Sequence, residues 1–176
     1  MKSSFSVPYV TSYEYADLHQ LTALWFGYTS DLSEFRHQFI GTAYHEEKPA
    51  NLQSEIAEEI VADLNKKNPK TACEVATYFT EMLETFSEMR RVLKKDGYAC
   101  IVIGDTTLEK VDIKNAEVFV EQMQNIGFQI EQVIMREIPS KILPQTRDKK
   151  TGRFTKSKDA DFLAYPHEYI LVMQKT

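Results

Sequence analysis

Near the amino end, Ser6-Val7-Pro8-Tyr9 puts a hydroxyl, a peptide oxygen and an aromatic ring within four residues, where a proline closes a short strand-like stretch. The plainer alternative is a strand that ends in an ordinary Pro–Tyr turn. A second concentration of chemistry lies between residues 136 and 158. Arg136, Lys141, Arg147, Lys149, Lys150, Arg153, Lys156 and Lys158 stand there against Glu137 and Asp148, a net of +6 that leaves −11 for the rest of a chain whose total is −5. Neutralising phosphates requires clustered lysine and arginine. Arg147, Lys149, Lys150, Arg153 and Lys156, around Gly152, are therefore the candidate nucleic-acid contact. The alternative is a solvated connection between two strands. His19, His37, His45 and His167 show no metal-ligand spacing, and His45-Glu46-Glu47 is not the HExxH zinc arrangement. No metal is expected.

The elements that position these groups follow from periodicity. Residues 4–10 read as a short strand stopped by Pro8. Leu18, Leu21, Leu24, Trp25 and Tyr28 recur at helical spacing, and residues 33–40 add one or two turns before Gly41. Leu52, Ile56, Ile60, Val61 and Leu64 form the stripe of another helix, with Asn51 or Ser54 as its N-cap and Pro69 as the break after it. The longest periodic segment, residues 71–95, carries Val75, Tyr78, Phe79, Met82, Phe86, Met89, Val92 and Leu93 on one face, which reads as core. Tyr98-Ala99-Cys100-Ile101-Val102-Ile103, between Gly97 and Gly104, reads as a strand buried on both faces. A helix over 115–125, a half-buried strand over 128–138, a basic loop over about 142–161 and a terminal strand over 168–173 complete the order.

Strands joined through helices predict a parallel sheet with right-handed crossovers, and the last two strands, with no helix between them, should pair antiparallel. The fold class is α/β: a three-layer sandwich whose sheet is mostly parallel, with one antiparallel strand at the C-terminus. Residues 1–176 read as a single domain with a helical insertion at about 42–72. The chain has no apolar run of the length that spans a bilayer, and no apolar segment follows Lys2 to mark a signal peptide. Cys73 and Cys100, far apart and without CxxC spacing, fit a reducing, cytoplasmic setting and read as small buried hydrophobes.

Ser6-Val7-Pro8-Tyr9 resembles the Asp/Asn/Ser-Pro-Pro-Tyr/Phe/Trp motif of DNA methyltransferases that modify exocyclic amines. Further pieces are similar to stretches of that family in consistent order. They are Tyr13-Glu14-Tyr15 with the helix behind it, Phe35-Arg36 with Ile40-Gly41, Arg91-Val92-Leu93-Lys94 leading to Ile103-Gly104-Asp105, and Pro166-His167-Glu168-Tyr169-Ile170-Leu171-Val172. The resemblance implies a Rossmann-like class I methyltransferase fold, S-adenosyl-L-methionine as methyl donor, and double-stranded DNA as substrate. Transfer would go directly to N4 of cytosine or N6 of adenine, in a restriction-modification setting. Ser6 at the first position leans towards cytosine. The resemblance assigns Ser6, Val7, Pro8 and Tyr9 as the catalytic group. The Ser6 hydroxyl and Val7 carbonyl would accept from the target amine, favouring a pyramidal nitrogen, and Tyr9 would stack on the flipped base.

Two departures qualify that implication. Val7 stands where the family usually has proline, so the carbonyl is kept but the fixed φ is lost. The six glycines, at 27, 41, 97, 104, 127 and 152, are too scattered to build a glycine-rich cofactor loop, so no cofactor-binding residues are assigned. The resemblance then implies the C-terminal half of a severed or split enzyme, with Met1 an internal start. A separate chain, or self-association, would complete the sheet. The alternative from another class is a non-catalytic DNA-binding or partner subunit that retains half of the fold.

Overall fold

The structure is a computed structural model that describes residues 2–10, 15–42, 51–138, 146–147, 154–155, 162–163 and 167–176. Its longest element is α4, Pro69–Val92. Asn68 caps it, its side chain accepting from the N–H groups of Lys70 and Thr71. Pro69, expected as a break, is instead the first helical residue, where its missing N–H costs nothing and its fixed φ suits the helix. The apolar stripe is core, as expected: Val75, Tyr78, Phe79, Met82, Phe86 and Met89 are buried. Val92 is the exception and is exposed, because the helix ends there and Leu93 turns inward instead.

Before α4, α1 (Tyr15–Trp25), α2 (Leu32–Arg36) and α3 (Glu55–Asn65) follow β1 (Lys2–Ser6). Ser54 caps α3, accepting from the Ala57 N–H at 3.0 Å. Its Ala57, Ile60 and Leu64 enter the same core as α4. In α1 the periodic apolar stripe faces outward: Leu18, Leu21 and Trp25 are exposed, and the buried residues are Ala16 and Ala23.

After α4 come β2 (Tyr98–Ile103), β3 (Thr106–Leu108), β4 (Val111–Ile113), α5 (Asn115–Asn125), β5 (Phe128–Glu137), the two-residue strands β6 (Thr146–Arg147), β7 (Phe154–Thr155) and β8 (Phe162–Leu163), and β9 (His167–Lys175). The main sheet has the order β1-β2-β9-β5. β1 pairs parallel with β2, whereas β9 pairs antiparallel with both β2 and β5. The expected antiparallel pairing of the last two long strands is present. The expectation of a mostly parallel sheet needs correction at the level of its ladders. β9 returns from β5 and inserts between it and β2, so two of the three pairings are antiparallel, although β1, β2 and β5 all run the same way.

Burial corrects a second expectation. β2 alternates, with Ala99, Ile101 and Ile103 buried and Tyr98, Cys100 and Val102 only half-buried. The register sets Leu171 and Met173 of β9 beside Ile101 and Ala99, so one face of the sheet is sealed. The buried residues of α3, α4 and α5 belong to the core on that face. Among the described residues, the sealed core is therefore one helical layer on one side of a sheet, short of three full layers.

The strand expected over 128–138 is the sheet's edge, and only Phe128 is buried along it. A register shift between Ile130 and Gln132 breaks its alternation. Cys73 is exposed, not buried, because α4 turns it away from the core, and Cys100 is half-buried. The hairpin β3–β4 and the small sheet β7-β6-β8, inside what reads as loop, complete the differences.

At Gly127, which ends α5, φ is +96° and an added Cβ would lie 2.9 Å from the Arg90 guanidinium. Gly127→Ala is expected to lower stability by about 1 kcal/mol, read as a shift in the urea midpoint.

Candidate functional site

The tetrapeptide leaves the carboxyl end of β1, whose last residue, Ser6, lies opposite Val102 of β2. Of Ser6 only the backbone falls within the description. Val7 buries its side chain in the core and is 6% exposed, so the turn is anchored there by packing. Pro8 and Tyr9 are half-buried. The Pro8 carbonyl accepts a 2.8 Å hydrogen bond from the hydroxyl of Tyr78, at the centre of α4. Tyr9 lies against Gly104 at the end of β2. A Cβ built on Gly104 would stand 3.3 Å from Tyr9 Cε1 and 3.4 Å from the carbonyl oxygen of His167. The absent side chain therefore lets the Tyr9 ring and the start of β9 close on one point. Asn115, fully buried at the start of α5, donates to the Gly104 carbonyl at 3.0 Å.

Asp105 enters the sequence reading only within the stretch Ile103-Gly104-Asp105, with no role assigned, and it follows Gly104 directly. Its carboxylate accepts from the Ala116 N–H at 3.1 Å, in the first turn of α5. The local N-cap, Lys114, makes no side-chain capping bond, so a residue distant in sequence serves one of the free donors there. The long separation left no local sequence signal. Burial, chiefly, and the nearby Glu117 charge push the Asp105 carboxyl above its ordinary range. Burial also raises Tyr169, with the charges of Asp105 and Glu117 adding to it. These groups, with Ile130, Val133 and Glu121, line a cleft of about 430 Å³. A cleft of about 490 Å³ lies between α3 and the β3–β4 turn. Neither includes residues 6–9.

The raised carboxyl has a consequence for stability. Between the ordinary carboxylate pKa, about 4, and the raised value, the folded chain holds more proton than the unfolded one, so stability falls as pH rises through that window. Asp105→Asn keeps an acceptor for Ala116 and loses the charge. The variant should gain on the parent as pH climbs from 4 to 8, with the gap closing in acid. Parallel denaturation midpoints across that range would refute this.

Of the basic candidates, Arg147 lies in β6, paired with Phe154 and Phe162. Lys149, Lys150, Arg153 and Lys156 lie outside the described residues. Glu168, buried at the start of β9, is ion-paired with the exposed Arg136 of β5. Among the described residues no group of three or more His, Cys, Asp or Glu could hold a metal ion, and no helix is long and apolar enough to cross a membrane.

No curated protein matches the chain significantly. Among solved structures, a Thermus thermophilus protein provisionally described as a DNA modification methylase matches with 20% identity and a TM-score of 0.35. That match covers 54% of this chain and 35% of the other. The family model described as DNA methylase, of the N6/N4 type, matches residues 6–176, beginning at the first residue of the tetrapeptide. With nearly the whole chain matched, this protein belongs to the N6/N4 DNA methylase family.

Proposed function

We propose that the chain is the base-binding half of an S-adenosyl-L-methionine-dependent DNA methyltransferase of restriction-modification type, acting on an exocyclic amine of cytosine or adenine. The observation that carries this reading is the turn at the end of β1, with Tyr9 set against Gly104, in a chain whose family match starts at Ser6. Ser6 and the Val7 carbonyl act on the base as acceptors for the two amine hydrogens. Such acceptors draw the nitrogen lone pair out of conjugation with the ring. Tyr9 stacks on the flipped base and offsets part of the cost of unstacking it. Arg147, Lys149, Lys150, Arg153 and Lys156 contact the phosphates of double-stranded DNA.

The glycines do not fit a cofactor cradle. Gly104 follows a strand as such a loop requires, but the next element is the strand β3, with no helix start to receive the donor. No catalytic step is therefore assigned to donor-binding groups of this chain. Among the described residues β1 is an edge of the main sheet, with β2 as its one neighbour there. Its open side suits further strands from a separate chain, or from a second copy, that brings the donor site. In this reading residues 1–176 form one domain, 42–72 is an insertion into it, and the protein works in the cytoplasm.

The test is transfer of labelled methyl from the donor to unmethylated duplex DNA, by the chain alone and with the product of any reading frame just upstream that encodes a glycine-rich strand–turn–helix (the adjoining product). Label in N4-methylcytosine or N6-methyladenine is expected. A second reading, a DNA-binding or partner subunit without turnover, is favoured by Val7 and by the lack of a cradle. DNA binding without label in either mixture would establish it.

A further inference from the structure

The stretch around Ile40-Gly41 and the buried Tyr78 have no part in the function proposed so far, yet they converge on the tetrapeptide. A turn of the form Ser-Pro-Pro-Tyr is stiffened by two rings, and this chain has only Pro8. Val7 is held by burial of its side chain, which leaves its backbone torsions freer than a proline would. The compensating restraint comes from α4. Tyr78 is fully buried, its ring packed against Phe79 and Phe119, and its hydroxyl donates to the Pro8 carbonyl at 2.8 Å. That bond fixes the plane of the Pro8–Tyr9 peptide, and hence the direction in which Tyr9 leaves the turn.

Gly41 lies close against the Tyr78 ring. A Cβ there would stand 3.0 Å from Tyr78 Cδ2, and φ at Gly41 is +75°, so a side chain would be strained and would press on the ring. The Gly41 N–H donates to Glu81 Oε2 at 2.7 Å, and Glu81 lies three residues beyond Tyr78, on the adjacent turn of α4. The helix thus holds the glycine, the glycine fits against the ring, and the ring's hydroxyl holds the tetrapeptide.

We propose that Tyr78, seated by Gly41, is the positioning residue that fixes the Ser6–Tyr9 turn and supplies the stiffness lost where Val7 replaces proline. The inference rests on the reading of that turn as the nucleobase site. Its physical content, a tether from Tyr78 to Pro8, can be measured separately.

The decisive variant is Tyr78→Phe, which keeps the ring and removes the donor. Hydrogen exchange of the full chain, followed by mass spectrometry of peptides, should show residues 5–10 exchanging about tenfold faster, the scale of one net hydrogen bond. Peptides from α4 and β2 should be unchanged. Val7→Pro placed in the Tyr78→Phe chain should restore protection, and Gly41→Ala should loosen the same peptide. In the methyl-transfer assay, kcat of Tyr78→Phe should fall about tenfold with KM for the donor unchanged. Unchanged exchange at residues 5–10, or equal acceleration throughout α4 and β2, overturns the tether. A loosened turn with undiminished kcat overturns the positioning role and leaves the proposed function standing. If the parent chain transfers no methyl either alone or with the adjoining product, the function falls, and the exchange result still decides the tether.

Discussion

Phe119→Ala is expected to remove about 3–5 kcal/mol of folding stability, the range for deleting a buried aromatic side chain. Phe119 is fully buried on α5 and meets the Phe86 ring edge-on, with centroids 4.9 Å apart and planes at 76°. It also packs against Tyr78, centroid to centroid 6.1 Å. Its removal therefore opens a cavity where α4 and α5 meet, and rigid rings on both sides limit collapse into it. A domain of this size has about 5–15 kcal/mol in total, so the variant should be marginal at room temperature. Urea denaturation gives the number. A loss below about 1 kcal/mol would mean that the contact between α4 and α5 is not the centre of the core.

The second large effect is on activity. Tyr9→Ala is expected to lower kcat/KM for DNA by about 10–100-fold, the equivalent of the 1–3 kcal/mol that base stacking on an aromatic supplies. Tyr9→Phe keeps the ring and should retain most of the activity. Because Tyr9 is half-buried at the edge of the core, the alanine variant should keep the parent's fold, visible as an unchanged circular dichroism spectrum. Loss of activity in both variants alike would point to the hydroxyl and away from stacking.

Much of this arrangement is legible in the residues alone, and the failures have physical causes. The face of α4 from Val75 to Met89 reads directly as core, because 24 residues of helix give the 3.6 period room to show. Pro69 misleads because proline ends a helix and begins one by the same property, its missing N–H. In α1 the stripe of Leu18, Leu21 and Trp25 has helical spacing but faces outward, and spacing alone does not say which side a helix buries. β2 reads as a strand buried twice over since Cys100 and Val102 are apolar, although the structure seals only the alternate positions. The hairpin β3–β4 escapes notice because its three-residue strands are too short for alternation to register.

At the site the tetrapeptide is visible, and its supports are not. Tyr78 reaches it from 70 residues away, and Gly104 comes from farther still, through tertiary contacts that no local pattern encodes. Gly41 is visible as a helix stop. Its fit against a tyrosine ring is a tertiary contact that local sequence does not encode.

In the proposed function Tyr9 meets a base drawn out of duplex DNA. Photo-crosslinking tests it most directly, using randomised duplexes that carry 5-iodocytosine in one set and 8-bromoadenine in another. After irradiation with the chain, alone and with the adjoining product, the modified peptide is mapped by mass spectrometry. Adducts are expected on Tyr9 in one of the two sets, lost in Tyr9→Phe only to the extent that ring chemistry changes and abolished in Tyr9→Ala. Adducts confined to other residues, with Tyr9 unmodified in both sets while DNA is bound, would contradict it.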